Sequence, residues 1–476
     1  MILFVPPALI AQTNKPADLH VARLVADKVI TAGNLRNYLT FISADALQGR
    51  DTPSQGLDVA AEFIAFHLRK WGLKPAGDNG TFFQKIPMTK LGFDEAKSRL
   101  TLETTPLRVG ESYVIDSGNA TAYGELVSLI GEPDTTNVKG KVVLLGPEAS
   151  EAALTQALKL GAVAVLKSTT NQTWWRRQAS QASRRGSYRT ELSPTPEPAA
   201  AAPVLTISPE ASAQLLASIG KKVAVTVVGT VERIYTQNVV AVIEGADPKL
   251  KSEYVAVGAH YDHVGVGRGN GDVIFNGADD DGSGTTAILS IAEAMVQARP
   301  KRSTLFVWHA GEEKGLEGSS YFVEHPTVPL AQVTVQLNID MIGRSKPAGD
   351  TNPANKVLTG PHAIYVIGTQ MMSTELGKLI HETNTRYLKL EYDPKYDSPT
   401  DPEQIFFRSD HYNYAKKGIP ICFWFDGVHE DYHRPGDEVS KIDFEKMEKI
   451  TRTVFLTAIN LGNLPQRPKV DKPLSR

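Results

Sequence analysis

Histidines and carboxylates recur in short words through the second half of the chain. They are His260-Tyr261-Asp262, the acidic turn Asn276-Gly277-Ala278-Asp279-Asp280-Asp281-Gly282-Ser283-Gly284, His309-Ala310-Gly311-Glu312-Glu313, Ile339-Asp340, and a loop holding His429 and His433. Imidazole nitrogen and carboxylate oxygen are metal donors, and their mixture suits zinc. Cys422 is the single cysteine, so neither an intrachain disulfide nor a thiolate cluster can form, and a metal centre must be built from His, Asp and Glu. Taken singly, each word is weak. A histidine at a strand end usually serves packing, and a run of aspartates usually forms a solvated turn or caps a helix, where carboxylates accept backbone N–H bonds. Their shared placement changes that balance: several fall just past the carboxyl ends of predicted strands, where open α/β sheets place their sites.

The elements that position them follow from the apolar pattern. After Val231, short apolar runs alternate with amphipathic segments, as in a mostly parallel sheet covered by helices on both faces. Predicted strands are Val239–Ile243, Tyr254–Ala259, Thr304–Trp308, Thr334–Asn338, Ala363–Ile367 and Pro420–Phe425, with helices over Gly284–Gln297, Gly318–Glu324, Thr374–Thr383, Asp410–Lys416 and Phe444–Leu461. Upstream, helical spacing from Leu35 to Trp71 is broken by a loop at Gly49–Gly56, giving two more helices. Residues 97–231 differ: short strands dominate, and an interior loop from Arg176 to Pro203 carries Arg176, Arg177, Arg184, Arg185 and Arg189, then Pro194, Pro196 and Pro198. A solvated flexible loop is the expectation there. The fold class is therefore α/β, a mixed and mostly parallel sheet sandwiched by helices, with a smaller β-rich insertion. The divisions are a tail at 1–19, a main domain at 20–96 and 232–465 interrupted by 97–231, and a C-terminal tail at 466–476.

Composition excludes several classes. A chain of 476 residues with 41% apolar and 22% charged residues is neither disordered, collagenous nor polytopic in a membrane. With 51 Lys plus Arg against 53 Asp plus Glu, the net charge of −2 provides no overall field for nucleic acid. The apolar residues 2–11 followed by Gln-Thr-Asn-Lys-Pro read as the end of a secretory signal cut near Ala11, although a basic leading region is missing. The expected location is secreted or periplasmic, with no integral membrane span.

Several longer words carry a resemblance: Gly-Ala-His-Tyr-Asp-His, Gly-Ala-Asp-Asp-Asp-Gly-Ser-Gly, Gly-Glu-Glu-Lys-Gly-Leu-Glu-Gly-Ser, Asn-Ile-Asp-Met, Arg-Ser-Asp-His and Asp-Tyr-His-Arg-Pro-Gly-Asp. Over about residues 232–465 the chain resembles the co-catalytic di-zinc aminopeptidases of metallopeptidase family M28, relatives of bacterial leucyl aminopeptidase, glutamate carboxypeptidase, glutaminyl cyclase and the transferrin receptor. The resemblance implies a zinc-exopeptidase fold and two zinc ions held by His260, Asp280, Glu313, Asp340 and His433. In that reading Asp280 bridges the ions, His260 and Asp340 complete one site, and Glu313 and His433 complete the other. A carboxylate between two like-charged ions offsets their repulsion, and Asp262 is placed to orient the His260 ring. Glu312, beside Glu313, faces the water as general base, taking its proton and passing it to the leaving amine. The resemblance also implies a cis peptide after Asp280. Residues 97–231 look like the protease-associated domain inserted in many members, notably at Val138-Lys139-Gly140-Lys141-Val142-Val143-Leu144-Leu145.

His429-Glu430-Asp431-Tyr432-His433 also matches the His-Glu-x-x-His word of helical zinc proteases. Gly427 before it and Pro435-Gly436 after it leave too little room for a helix, so His433 alone is the expected ligand and His429 lines the cleft or lies at the surface. Ser409 either bonds Asp340 or caps a helix. Phe406 stands where some bacterial aminopeptidases place a tyrosine for the oxyanion. His309 is expected to be structural. The implied function is removal of N-terminal residues from peptides. A carboxypeptidase or glutaminyl cyclase remains the same-family alternative, with Arg408 a candidate carboxylate partner, and a non-catalytic receptor-like module is the other.

Overall fold

Strands buried on both faces cannot alternate apolar with polar residues, and the continuous apolar runs of the second half are of that kind. A computed structural model describes residues 16–129, 138–181, 187–190, 201–267, 269, 271–398, 400–472 and 474. The signal-like stretch at 2–11 lies outside the described residues, as do Arg184, Arg185, Pro194, Pro196 and Pro198 of the interior loop.

The chain divides into two compact units, one of residues 1–86, 235–266 and 272–476, the other of residues 87–234 and 267–271. In the first, the strands Ala363–Ile367, Ile421–Phe425, Val333–Ile339, Tyr254–His260, Ser303–His309 and the part of Gly229–Ile243 from Tyr235 onward lie side by side in that order. The four from Ile421–Phe425 to Ser303–His309 are mutually parallel, and the two flanking strands run antiparallel to them. This is the mixed, mostly parallel α/β sheet expected. Parallel strands put their carboxyl ends on one edge, which is what gathers residues distant in sequence.

Period-2 alternation feeds two cores, one on each face. Phe306 and Trp308 join Val255, Val257, Leu337 and Ile339 in one cluster, packed by the helices Leu19–Val29, Ala32–Ile42, Gly282–Gln297 and Phe444–Asn463. Leu305 and Val307 face the other cluster with Phe322 of helix Glu317–Glu324 and Tyr414 of helix His411–Lys416. The second unit is β-rich, with an 8-stranded sheet and two apolar clusters of its own. Among the described residues no helix is long and apolar enough to cross a membrane.

Candidate metal centre

The strand Tyr254–His260 ends on His260, and Ser303–His309 gives way to a short turn at Glu312–Lys314, entered through Gly311 in the left-handed region (φ 72°). Val333–Ile339 is followed directly by Asp340, and Ile421–Phe425 by the loop that carries His429 and His433. That loop holds no helix, so the His-Glu-x-x-His word is not a helical zinc site here.

Expected donors that are far apart in sequence meet at the sheet edge. His260 Nε2 lies 3.3 Å from Asp280 Oδ1 and 3.5 Å from Asp340 Oδ1. His433 Nε2 lies 3.0 Å from Asp280 Oδ2 and 3.1 Å from Glu313 Oε2. Asp280 thus presents one oxygen to each histidine, and its peptide bond to Asp281 is cis. Glu312 stands beside them, its Oε2 4.0 Å from His260 Nε2. His260 and Asp280 are almost wholly buried, whereas the His433 side chain is 32% exposed, at the open side of the group.

One histidine passed over in the sequence also enters. His263 Nδ1 is 2.9 Å from Glu313 Oε1 and 3.8 Å from Asp280 Oδ2, and the ring is fully buried. The donor atoms fall into two sets, His260 with Asp280 and Asp340, and His263 with Asp280 and Glu313. His263 closes the word Gly-Ala-His-Tyr-Asp-His, so the signal was present as a second histidine three residues on.

Asp262 faces the His260 ring with two groups. The backbone carbonyl of Asp262, not its carboxylate, lies 3.1 Å from His260 Nδ1, and the carboxylate is 3.6 Å away. A carbonyl can only accept, so Nδ1 donates to it, and Nε2 is the ring nitrogen turned toward Asp280 and Asp340. The Asp262 carboxylate instead accepts from the Thr52 hydroxyl at 3.0 Å and from the Glu312 N–H at 3.1 Å, tying His260's loop to the Glu312 turn.

The three consecutive aspartates are all buried and each has a different task. Asp279 accepts from the Gly343 N–H, and Asp281 caps helix Gly282–Gln297 through the Gly284 N–H while also accepting from the Met341 N–H. The outer pair therefore lash the turn to the loop after Asp340, leaving Asp280 free to face the histidines. Asp437 accepts from the N–H groups of both Asp279 and Asp280. His429 is neither in the cleft nor at the surface: it is buried with its Nε2 3.2 Å from Asp279, backed by Arg344, which donates to Asp431. Buried Arg50 donates to the carbonyls of Ile42, Tyr261, Asn276 and Gly277, clamping the His260 loop to the acidic turn. Ser409 bonds the Asp340 carboxylate, and Asp410 makes no side-chain cap. Phe406 is buried, and His309 is held between Tyr414 and Asp410 away from the donor sets.

Electrostatics separates the carboxylates. Burial lifts Glu312 well above the usual carboxylate range, and Glu313, Asp340 and Asp410 add to it against the pull of His260. Burial and Asp280 push Glu313 up too, but His263 and His433 overcome them and bring it down to about 2. Burial would lower His433, yet Asp280 and Glu313 raise it to about 10. So much buried charge without a hydrogen-bonding partner on Asp280 Oδ2, Glu313 Oε1 and His263 Nδ1 fits a site that takes cations. The nitrogen and oxygen donor set, with no thiolate, fits zinc.

Residues 238–458 match the sequence model of Peptidase family M28. "Leucine aminopeptidase 2" of Trichophyton equinum is 28% identical over 285 residues, 55% of this chain and 52% of that protein. A "probable leucine aminopeptidase" of Arthroderma benhamiae is 30% identical over 232 residues, 47% of this chain and 57% of that protein. The chain spans about half the length of the curated relatives it matches. Among solved structures, an aminopeptidase from Aneurinibacillus sp. strain AM-1 superposes with a TM-score of 0.59 at 20% identity, covering 96% of this chain and 98% of that one. BSAP, a zinc aminopeptidase from Bacillus subtilis, gives 0.59 at 18% identity over 94% and 99% of the two chains. At such identities these two share the fold.

Proposed function

We propose that the protein is a member of Peptidase family M28, whose sequence model residues 238–458 match, and that it is a two-zinc aminopeptidase hydrolysing the first peptide bond of peptides. The observation that carries the reading is the division of one carboxylate between two donor sets: Asp280 Oδ1 toward His260 and Asp340, Oδ2 toward His433 and Glu313, with Glu312 alongside. His260, Asp280 and Asp340 would hold one ion; Asp280, Glu313 and His433 would hold the other. When bound, zinc would bring the pKa of water at the site down to about 7 and polarise the scissile carbonyl. Glu312 accepts the proton of the attacking water as its oxygen joins the carbonyl carbon, then gives that proton to the amine nitrogen as the C–N bond breaks. Burial favours a protonated Glu312, which suits the second of these transfers. Asp262 is a positioning residue: it holds the Glu312 backbone with its carboxylate and the His260 tautomer with its carbonyl.

The names of the relatives favour the amino terminus, while Arg408, the candidate carboxylate partner, is exposed with its charge felt at Tyr432 and keeps the carboxypeptidase alternative in the test. The apolar residues 2–11 support a location outside the cytoplasm, secreted or periplasmic. Residues 97–231, with their own sheet, are read as a protease-associated domain.

The test is hydrolysis of free, N-blocked and C-blocked peptides by the zinc-loaded protein and by Glu312→Gln. Cleavage of free and C-blocked but not N-blocked peptides is expected, with kcat lower by roughly 10²–10⁴ in Glu312→Gln and zinc content unchanged. Preference for N-blocked peptides would replace this reading with the carboxypeptidase one; undiminished turnover by the variant would remove Glu312 from the chemistry.

A further inference from the structure

His263 belongs to none of the roles assigned above, yet it is the best-buried imidazole at the donor cluster. Its Nδ1 and Glu313 Oε1 are 2.9 Å apart, and neither ring nitrogen has a hydrogen-bond partner. Buried polar atoms left without hydrogen-bond partners are costly, and a cation held against both Nδ1 and Oε1 would satisfy them. A tetrahedral ion with donors about 2.0–2.2 Å away holds those donors roughly 3.4 Å from one another. The separations of His263 Nδ1 from Glu313 and Asp280, 2.9 and 3.8 Å, straddle that spacing, and those of His433 from the same two carboxylates are 3.1 and 3.0 Å.

The local chain is shaped around this ring. Gly277 has φ +55°, and a Cβ added there would stand 2.5 Å from His263 Cγ, so the imidazole seats where only glycine leaves room. Arg50 holds both sides of the seat: its carbonyl accepts from the His263 N–H, and its guanidinium donates to the Gly277 carbonyl.

We infer that His263 is a fourth protein donor to the ion shared by Asp280, Glu313 and His433, closing that ion's coordination and leaving only the ion of His260 and Asp340 with positions open to water and substrate. The inference rests on the two-ion reading and makes the two ions unequal. Four protein donors are the pattern of a structural zinc, three with an open position that of a catalytic one. The closed ion binds tightly and stays, while the open one exchanges, and activity follows the occupancy of the weaker site.

The test uses the full chain stripped of metal. With one equivalent of zinc, X-ray absorption should count two imidazoles on the ion, His263 and His433; a count of one overturns the inference without needing any variant. Zinc titration against a chromophoric chelator should then show a tight and a weaker ion in the native chain. His263→Gln and His263→Ala, checked for native circular dichroism, should weaken the tight one by roughly 100-fold and leave the weaker one unmoved, whereas His260→Gln should weaken the other. Native affinities for both ions in the His263 variants overturn the role of His263 alone. A native chain that binds fewer than two ions overturns the two-ion reading and this inference with it.

Discussion

At the scale of single residues, the site depends on side chains that contribute no atom to either metal donor set. Asp437 receives the N–H groups of Asp279 and Asp280, and nothing else in the turn accepts from them. Removing it leaves two buried donors unsatisfied, at about 1–3 kcal/mol each, and frees the backbone that aims Asp280. Asp437→Ala should therefore weaken zinc binding by about 10–100-fold and lower the denaturant midpoint, while Asp437→Asn, which keeps one acceptor, recovers part of both. Equal zinc affinity in Asp437→Ala and the native chain would show that the turn holds its shape unaided. The donors themselves were legible in the sequence because each type stands in a distinctive word beyond an apolar run. Asp437, Arg50 and Thr52 were not, since their value lies in bonds to loops far away in the chain, as with Arg50 and Tyr261. His429 shows the converse: its word suggested a cleft or surface residue, and its burial against Asp279 and Arg344 depends on two loops that no local pattern connects.

At the scale of elements, strand order did most of the assembling. The apolar runs at Tyr254–His260, Ser303–His309, Val333–Ile339 and Ile421–Phe425 were readable as strands, and once they pair in parallel their chemistry must share one edge. Element ends were less readable: the predicted strands stopped at Ala259 and Trp308, one residue short of His260 and His309, because the pattern reads apolarity and these strands end on a polar side chain. The turns between elements are the exacting parts. Gly277→Ala would place a methyl 2.3 Å from the Asp280 carbonyl oxygen at a positive φ, and the expected loss is about 3 kcal/mol or more in denaturant unfolding; a loss below about 1 kcal/mol would mean the turn can shift. Helix His411–Lys416 supplies a pH-dependent contribution. Its first residue, His411, is buried with Nε2 2.7 Å from the Phe406 carbonyl, and burial lowers its pKa to about 4 from 6.5. The unfolded chain binds the proton first, so this contribution is complete above about pH 6.5 and is lost as the pH falls to about 4, up to about 3 kcal/mol. Denaturant midpoints measured across that window should fall less steeply in His411→Gln, whose amide can still donate to Phe406; an unchanged slope would refute the assignment.

For the whole molecule, the buried anionic cluster means that cations bound to the folded state alone should add to its stability. At free zinc 1,000 times the dissociation constant, one site contributes about 4 kcal/mol. Chelation should lower the melting temperature, and hydrogen exchange should quicken in residues 254–343 and 425–443. Exchange in the separately cored strands Arg99–Leu102 and Val204–Ile207 should not change. Uniform acceleration throughout would contradict the division into two cooperative units. Composition and periodicity gave the class of this architecture, because mean burial follows from local apolarity. They did not give the inner bonding of the centre, because that requires knowing which loop faces which.

The run Asp279-Asp280-Asp281 places one kind of side chain at three successive positions and asks something different of each. No exchange of amino-acid type among them would register in the composition, yet a single codon inserted or deleted between Ala278 and Gly282 would hand every carboxylate its neighbour's assignment. The stretch should therefore accept no length variation in a saturation library. Substitution would show how much each position matters, and a one-residue insertion would show that it is their spacing from the flanking chain, more than their charge, that heredity has to preserve.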